Sequence, residues 1–230
     1  MKSNITLEQR YQFAELIASI ARQHSFERWQ QIEKQSQQLS HAINYLRENG
    51  FLAIQIPFAS QIVDEIMALS KSQIEPENVP LSIRNEIYHL KDVQSLPSIK
   101  KLLEFDHLYQ LVSQYLGCPA SLYACQAWWQ FPTHFESSPQ NTQLWHRDRD
   151  DFGFLKLFIN ITDVDLNSGP HSFIKYSHRP GNENAIYSNY ESDKHMLDGK
   201  YPRFLSDDAM RSLLSKYSPK IWTGSSGFSF

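Results

Sequence analysis

The chain is 230 residues long and 41% hydrophobic, enough for one compact domain with a core of its own. It sets 22 basic against 25 acidic residues, for a formal charge of −3, and has no Lys/Arg run, so the electrostatic footprint of a nucleic-acid binder is missing. The apolar runs, short pieces such as 51–54 and 157–159, fall far below the ~18 residues that span a bilayer.

The opening MKSNITLEQRYQF has neither an apolar signal-type core nor an Arg-rich transit pattern. Cys118 and Cys125 make no disulfide framework and no Cys-based zinc site; they read as ordinary buried thiols of a reducing, cytoplasmic setting. Aromatic residues, at 13%, suit a β-rich core and a ligand pocket equally.

In chain order, Thr6 as cap, Gln9 at the reciprocal position, and Leu7, Ala14, Ile17 and Ala21 at helical spacing predict a helix over 6–23. A second helix is expected over 26–48, with Trp29, Ile32, Leu39, Ile43 and Leu46 near one face and Asn49-Gly50 as its stop. A strand at 51–56 closes on Pro57, and a helix follows at 59–70. The stretch 71–96, with Pro76 and Pro80, reads as loop, and short helices follow at 97–104 and 106–116.

Beyond Gly117 the texture changes. Strands are predicted at 120–131, 144–147, 154–162, 171–176 and 219–223, punctuated by Gly, Pro, Asn and Asp. Ser206, with Asp207 and Asp208 in the first turn, predicts a helix over 206–216. The pattern is a helical segment over 1–50 followed by a β-rich sandwich or barrel domain over 51–230.

The chemistry-bearing stretch is Gln143-Leu-Trp-His146-Arg-Asp148-Arg-Asp-Asp151. In a strand, side chains two apart share a face, so His146 and Asp148 point the same way. An imidazole and a carboxylate so placed make two thirds of the facial triad that holds iron(II) and leaves coordination positions open. The triplet alone is a weak signal; a surface histidine beside a solvated acidic cluster gives the same letters. Next comes 154–160, FLKLFIN, in which Leu155, Leu157 and Ile159 face one way and Lys156, Phe158 and Asn160 the other. Lys156 reads either as a counter-ion for a carboxylate ligand or as an edge lysine reaching water.

In QLWHRDRDD, FLKLFINITDVDLNSGP and Ser177-His178-Arg179 the chain resembles the phytanoyl-CoA dioxygenase-like oxygenases, particularly their small bacterial members. NGFLAIQIPFASQIVDEIMALS resembles the same family's N-terminal entry, and the likeness covers 49–230. The resemblance implies a mainly β, double-stranded β-helix (a cupin-like jelly roll) behind N-terminal helices. It implies iron(II) held by His146 and Asp148, with 2-oxoglutarate as co-substrate, whose decarboxylation to succinate drives hydroxylation of a small organic substrate. A carboxylate at position 148 argues against the halogenating variant, which needs that coordination position vacant.

The same resemblance marks what this sequence lacks. The family's second histidine ligand and the arginine that grips 2-oxoglutarate come after a strand and Gly-rich turn like 220–230, so the third ligand and last strands are expected beyond Phe230, and the fragment is expected to be inactive. His178 is the fallback ligand, ahead of His171 and His195. In 123–130 the family's strand touches the co-substrate. Gln126, Trp128 and Gln130 share one face and Trp129 takes the other, and the two tryptophans divide core from cavity. Trp128 and Gln130 are the co-substrate contacts expected there, and 133–143 reads as a specificity lid. The competing functions are a non-catalytic β-helix pseudo-enzyme and a cupin-like metal-binding protein that needs no 2-oxoglutarate. No nucleic-acid or membrane partner is expected, and the oligomeric state is open.

Overall fold

The computed structural model describes residues 7–34, 36–74, 87–130, 148, 153–178, 214–215, 218–227 and 229. Its helices run α1 Leu7–His24, α2 Phe26–Lys34, α3 Ser36–Asn49, α4 Ala59–Gln73, α5 Pro97–Leu103 and α6 Asp106–Leu116; its strands are β1 Ile87–His89, β2 Trp128–Gln130, β3 His171–Phe173 and β4 Lys220–Trp222.

The helices mostly follow their local signals. Gly50, at φ +82°, ends α3 and returns its N–H to the Leu46 carbonyl. Gly117 does the same for α6 at φ +73°, and the Arg22 guanidinium donates to its carbonyl, tying α1 to that helix end. Helix covers Phe26–Lys34 and Ser36–Asn49 of the stretch expected over 26–48, with Ile32 and Leu39 buried. One expectation changes. On α1 the expected apolar stripe divides: Ala18 is buried and Ala14 and Ala21 half-buried, while Leu16, Ile17 and Ile20 stay exposed. The alanine face admits close approach. A Cβ added at Gly153 would lie 3.6 Å from that of Ala14 and 3.8 Å from Leu116.

The main core centres on Ile62 and Ile66, one turn apart on α4, with Ile56, Leu90, Val93, Ile99 and Leu102. Trp129, Leu157, Ile159 and Ile161 pack against it. A second cluster joins Leu39 and Ile43 of α3 to Leu111 of α6, with Leu52 and Ile54 alongside, so the N-terminal helices share their buried surface with later elements. The Gln114 amide donates to the Ile32 carbonyl and Arg47 donates to that of Gln114, joining α2, α3 and α6 through polar contacts.

The expected loop over 71–96 is corrected in three places. α4 continues to Gln73, Ile87–His89 forms β1, and Val93–Ser95 makes a 3-10 turn. β1 pairs antiparallel with β2, Tyr88 opposite Trp129. Three residues cannot display a period, and the partner that makes them a strand lies some 40 positions on.

The terminal segment 218–229 is the spine of the second β region. β4 pairs antiparallel with β3, His171 opposite Trp222; Gly224 bridges Val164; Ser229 bridges both Ile159 and Ile54. The bridges at 164 and 159 share one register, which β3 does not. Seven residues separate Val164 from His171, but only two separate Gly224 from Trp222, so five residues on the first side are surplus. The turn at 165–169 absorbs them: Asp165 Oδ1 accepts from the Asn167 N–H at 2.8 Å and the Ser168 hydroxyl at 2.6 Å, bonds that hold its carboxyl below the usual range, and Gly169 takes φ +68°. Among the described residues the sheets are these two antiparallel pairs and isolated bridges, with no closed barrel. The expected strand at 144–147 and the predicted cap at Ser206 lie outside the described residues.

Candidate functional site

Residues 154–160, within the expected strand 154–162, pass the main core with only the Ile159 bridge to Ser229 as β structure, yet keep the predicted alternation from 156 to 159. Leu157 and Ile159 pack inward, and Lys156 turns to the other side. There its Nζ donates to Asp148 Oδ2 at 2.8 Å and stands 5.5 Å from the centre of the Phe154 ring. Two positions along that face, the Phe158 ring lies 4.7 Å from that of His171. The Asn160 carboxamide nitrogen is buried and unpartnered, while the Asn160 carbonyl accepts the Gly227 N–H at 2.7 Å.

The pair is partly exposed. The side chains of Lys156 and Asp148 are 39% and 26% exposed, so water reaches both and screens their attraction. Asp148 is therefore a reachable carboxylate with a cation already beside it. His146, the imidazole expected to share its face, lies outside the described residues, as do the 133–143 lid and His195. Among the described residues no three His, Cys, Asp or Glu side chains gather as a metal cluster.

His178, the fallback ligand, is engaged elsewhere. Its Nε2 meets the Arg47 carbonyl at 2.9 Å and its own carbonyl accepts the Tyr11 hydroxyl at 2.9 Å. The ring lies so close over Gly50 that a Cβ there would come within 2.5 Å of Nδ1. These contacts fasten the turn after β3 onto the C-terminal end of α3. Phe51 reinforces the junction, its ring 4.4 Å from that of Phe173 and 5.3 Å from that of Trp222.

The two tryptophans divide as parity requires. Trp129 is the core member: its Nε1 donates to Ser70 Oγ at 2.6 Å. Trp128 is 41% exposed, with the His89 ring 6.1 Å away, and Gln126 and Gln130 are exposed on the same face. Both expected co-substrate contacts thus sit on the outward face of β2.

The contact missing from the sequence reading is the direct bond between Lys156 and Asp148. Its signal was there in two opposite charges eight positions apart, but nothing in the spacing brings them together. A separate groove of about 510 Å³ opens between the start of α4 and the turn at 225–227, bordered by Ile54, Ile56, Val63 and Ser226. No family model, curated protein or solved structure matches the chain.

Proposed function

We propose that the chain is an iron(II)- and 2-oxoglutarate-dependent oxygenase that hydroxylates a small organic substrate, with His146 and Asp148 as its iron ligands. The observation that carries the reading is the Asp148 carboxylate, reachable from solvent and held 2.8 Å from the Lys156 ammonium on the non-core side of the 154–160 segment. The described part of the donor set fits the metal. A carboxylate oxygen is a hard donor suited to iron(II), and its second oxygen can accept a hydrogen bond from a neighbouring cation. Bound iron(II) would supply the redox chemistry that couples loss of carbon dioxide from 2-oxoglutarate to hydroxylation of a C–H bond.

The chain's own residues have narrower tasks. Asp148 and His146, two positions apart in the sequence, would hold the metal. Phe154 and Phe158 flank Lys156 by parity and supply apolar surface beside the site. Lys156 is the cation available for the co-substrate's far carboxylate; Trp128 and Gln130, exposed on β2, stand as co-substrate contacts on the family resemblance alone. The setting this chemistry asks for is a reducing cytoplasm, in keeping with the free thiols Cys118 and Cys125, each pushed up by burial. No helix among the described residues is long and apolar enough to cross a membrane.

A second reading draws on the same pair: an Asp148 neutralised by Lys156 is also what a non-catalytic β-helix would keep as a surface ion pair. Succinate release from 2-oxoglutarate in the presence of iron(II), measured without a second substrate on a chain that also carries the third ligand, separates the two. Release that disappears in His146→Ala and in Asp148→Ala supports the oxygenase. Metal binding at these residues without succinate selects a cupin-like metal protein. Succinate release or metal binding that survives both substitutions refutes the site.

A further inference from the structure

We propose that Lys156 is the resident counter-cation of Asp148, and that a divalent metal must displace it to bind. The inference rests on the reading of Asp148 as a metal ligand, and it concerns how that ligand is kept before the metal arrives.

The two side chains meet as opposite charges. The residues are eight apart, and the core neighbours Leu157 and Ile159 pull on the opposite side of their segment. What brings Nζ to 2.8 Å from Oδ2 is charge. A dication on the same carboxylate would then stand a few ångströms from an ammonium, and like charges at that range repel. The two cations therefore compete for one carboxylate.

Lys156 is built to give way. Its stem is unbranched, its side chain is 39% exposed, and the Phe154 ring, 5.5 Å from Nζ, offers an alternative resting place by cation–π attraction. The opposite role, a clamp that aims the carboxylate at the metal, would ask for a rigid, directional donor. An ammonium is a point charge with three rotatable donors and imposes little direction. Competition fits the geometry better than positioning.

The test is binding of cobalt(II) to the full chain, followed by calorimetry or equilibrium dialysis at low and high salt. Lys156→Met should bind cobalt(II) more tightly than wild type by about two- to fivefold, the range that an exposed ion pair covers. Lys156→Gln should do the same, while Lys156→Arg, which keeps the charge, should not. The gain should shrink at high salt, where exposed charges are screened. Unchanged or weaker binding in both neutral variants overturns the proposal, weaker binding making Lys156 a positioning residue. Asp148→Asn keeps the two readings apart. If it loses cobalt(II) while Lys156→Met matches wild type, only the competition fails. If it binds as wild type, or if neither wild type nor Lys156→Met binds at all, the metal site itself falls.

Discussion

Gly50 is where the fold makes its most exacting steric demand, and replacing it with alanine has a cost that can be divided into two parts. The first is conformational. At φ +82° an L side chain is strained by roughly 1–2 kcal/mol. The second is contact: the new Cβ would lie 2.5 Å from His178 Nδ1, so the ring must leave, and with it goes the bond from Nε2 to the Arg47 carbonyl, worth about 1 kcal/mol. Gly50→Ala should therefore destabilise by about 2–3 kcal/mol, and His178→Ala by about 1 kcal/mol. The double variant should be no worse than Gly50→Ala alone, since the ring can be lost only once. That leaves a coupling of about 1 kcal/mol between the sites. Urea unfolding followed by tryptophan fluorescence measures each corner of the cycle, provided the slope with urea stays constant. Additive effects, or a Gly50→Ala variant as stable as wild type, would refute the claim that the turn after β3 is seated on the end of α3.

Exchanging the two adjacent tryptophans for phenylalanine tests how they are divided. Trp129→Phe removes the bond to Ser70, a residue only 6% exposed, and should cost about 1–2 kcal/mol, whereas Trp128→Phe on the exposed face should stay within about 0.5 kcal/mol; equal losses in urea unfolding would contradict the assignment. Tyr115 is pushed up to about 12, by burial first and by repulsion from Tyr11 second, against an opposing pull from Arg47. The unfolded chain gives up this proton near pH ~10 and the folded chain keeps it, so stability should fall as pH climbs from 10 towards 12, with no contribution from this group below that window. Tyr115→Phe should flatten that part of the pH–stability curve, and tyrosinate absorbance of the folded protein should show one late-titrating phenol that the variant lacks.

Reading the sequence succeeded where one segment carries its own instructions. Asn49-Gly50 stops α3 because glycine alone takes the left-handed turn cheaply, and the short helices before Gly117 end within a residue or so of their predicted bounds. The alternation through 154–160 and the opposition of Trp128 and Trp129 follow from strand parity and need no partner to be known. It failed where a second segment decides. Ile87–His89 becomes a strand only because Trp128–Gln130 pairs with it. On α1, Ala18 is buried while Ile17 is exposed, a choice that the spacing of its own apolar residues does not reveal.

The same distinction explains the site. Asp148 and Lys156 were each legible as chemistry, one as a metal-type carboxylate and the other as a cation on a face away from the core. Their 2.8 Å bond was not, because it depends on how the chain turns between residues 148 and 154. His178 shows the converse. Its place after the β3 strand suggested a ligand, yet the residues that claim its ring, Gly50 and Arg47, lie more than a hundred positions away at a helix end. A histidine whose Nε2 faces a backbone carbonyl must present an N–H there to make the bond, and that nitrogen cannot serve a metal without giving the bond up. Its Nδ1 keeps a lone pair, and that atom lies over Gly50. If His178 were the ligand after all, cobalt(II) binding would have to loosen the turn from α3, and Gly50→Ala, by expelling the ring, would strengthen metal binding. Unchanged cobalt(II) affinity in Gly50→Ala is the outcome expected from a purely structural His178.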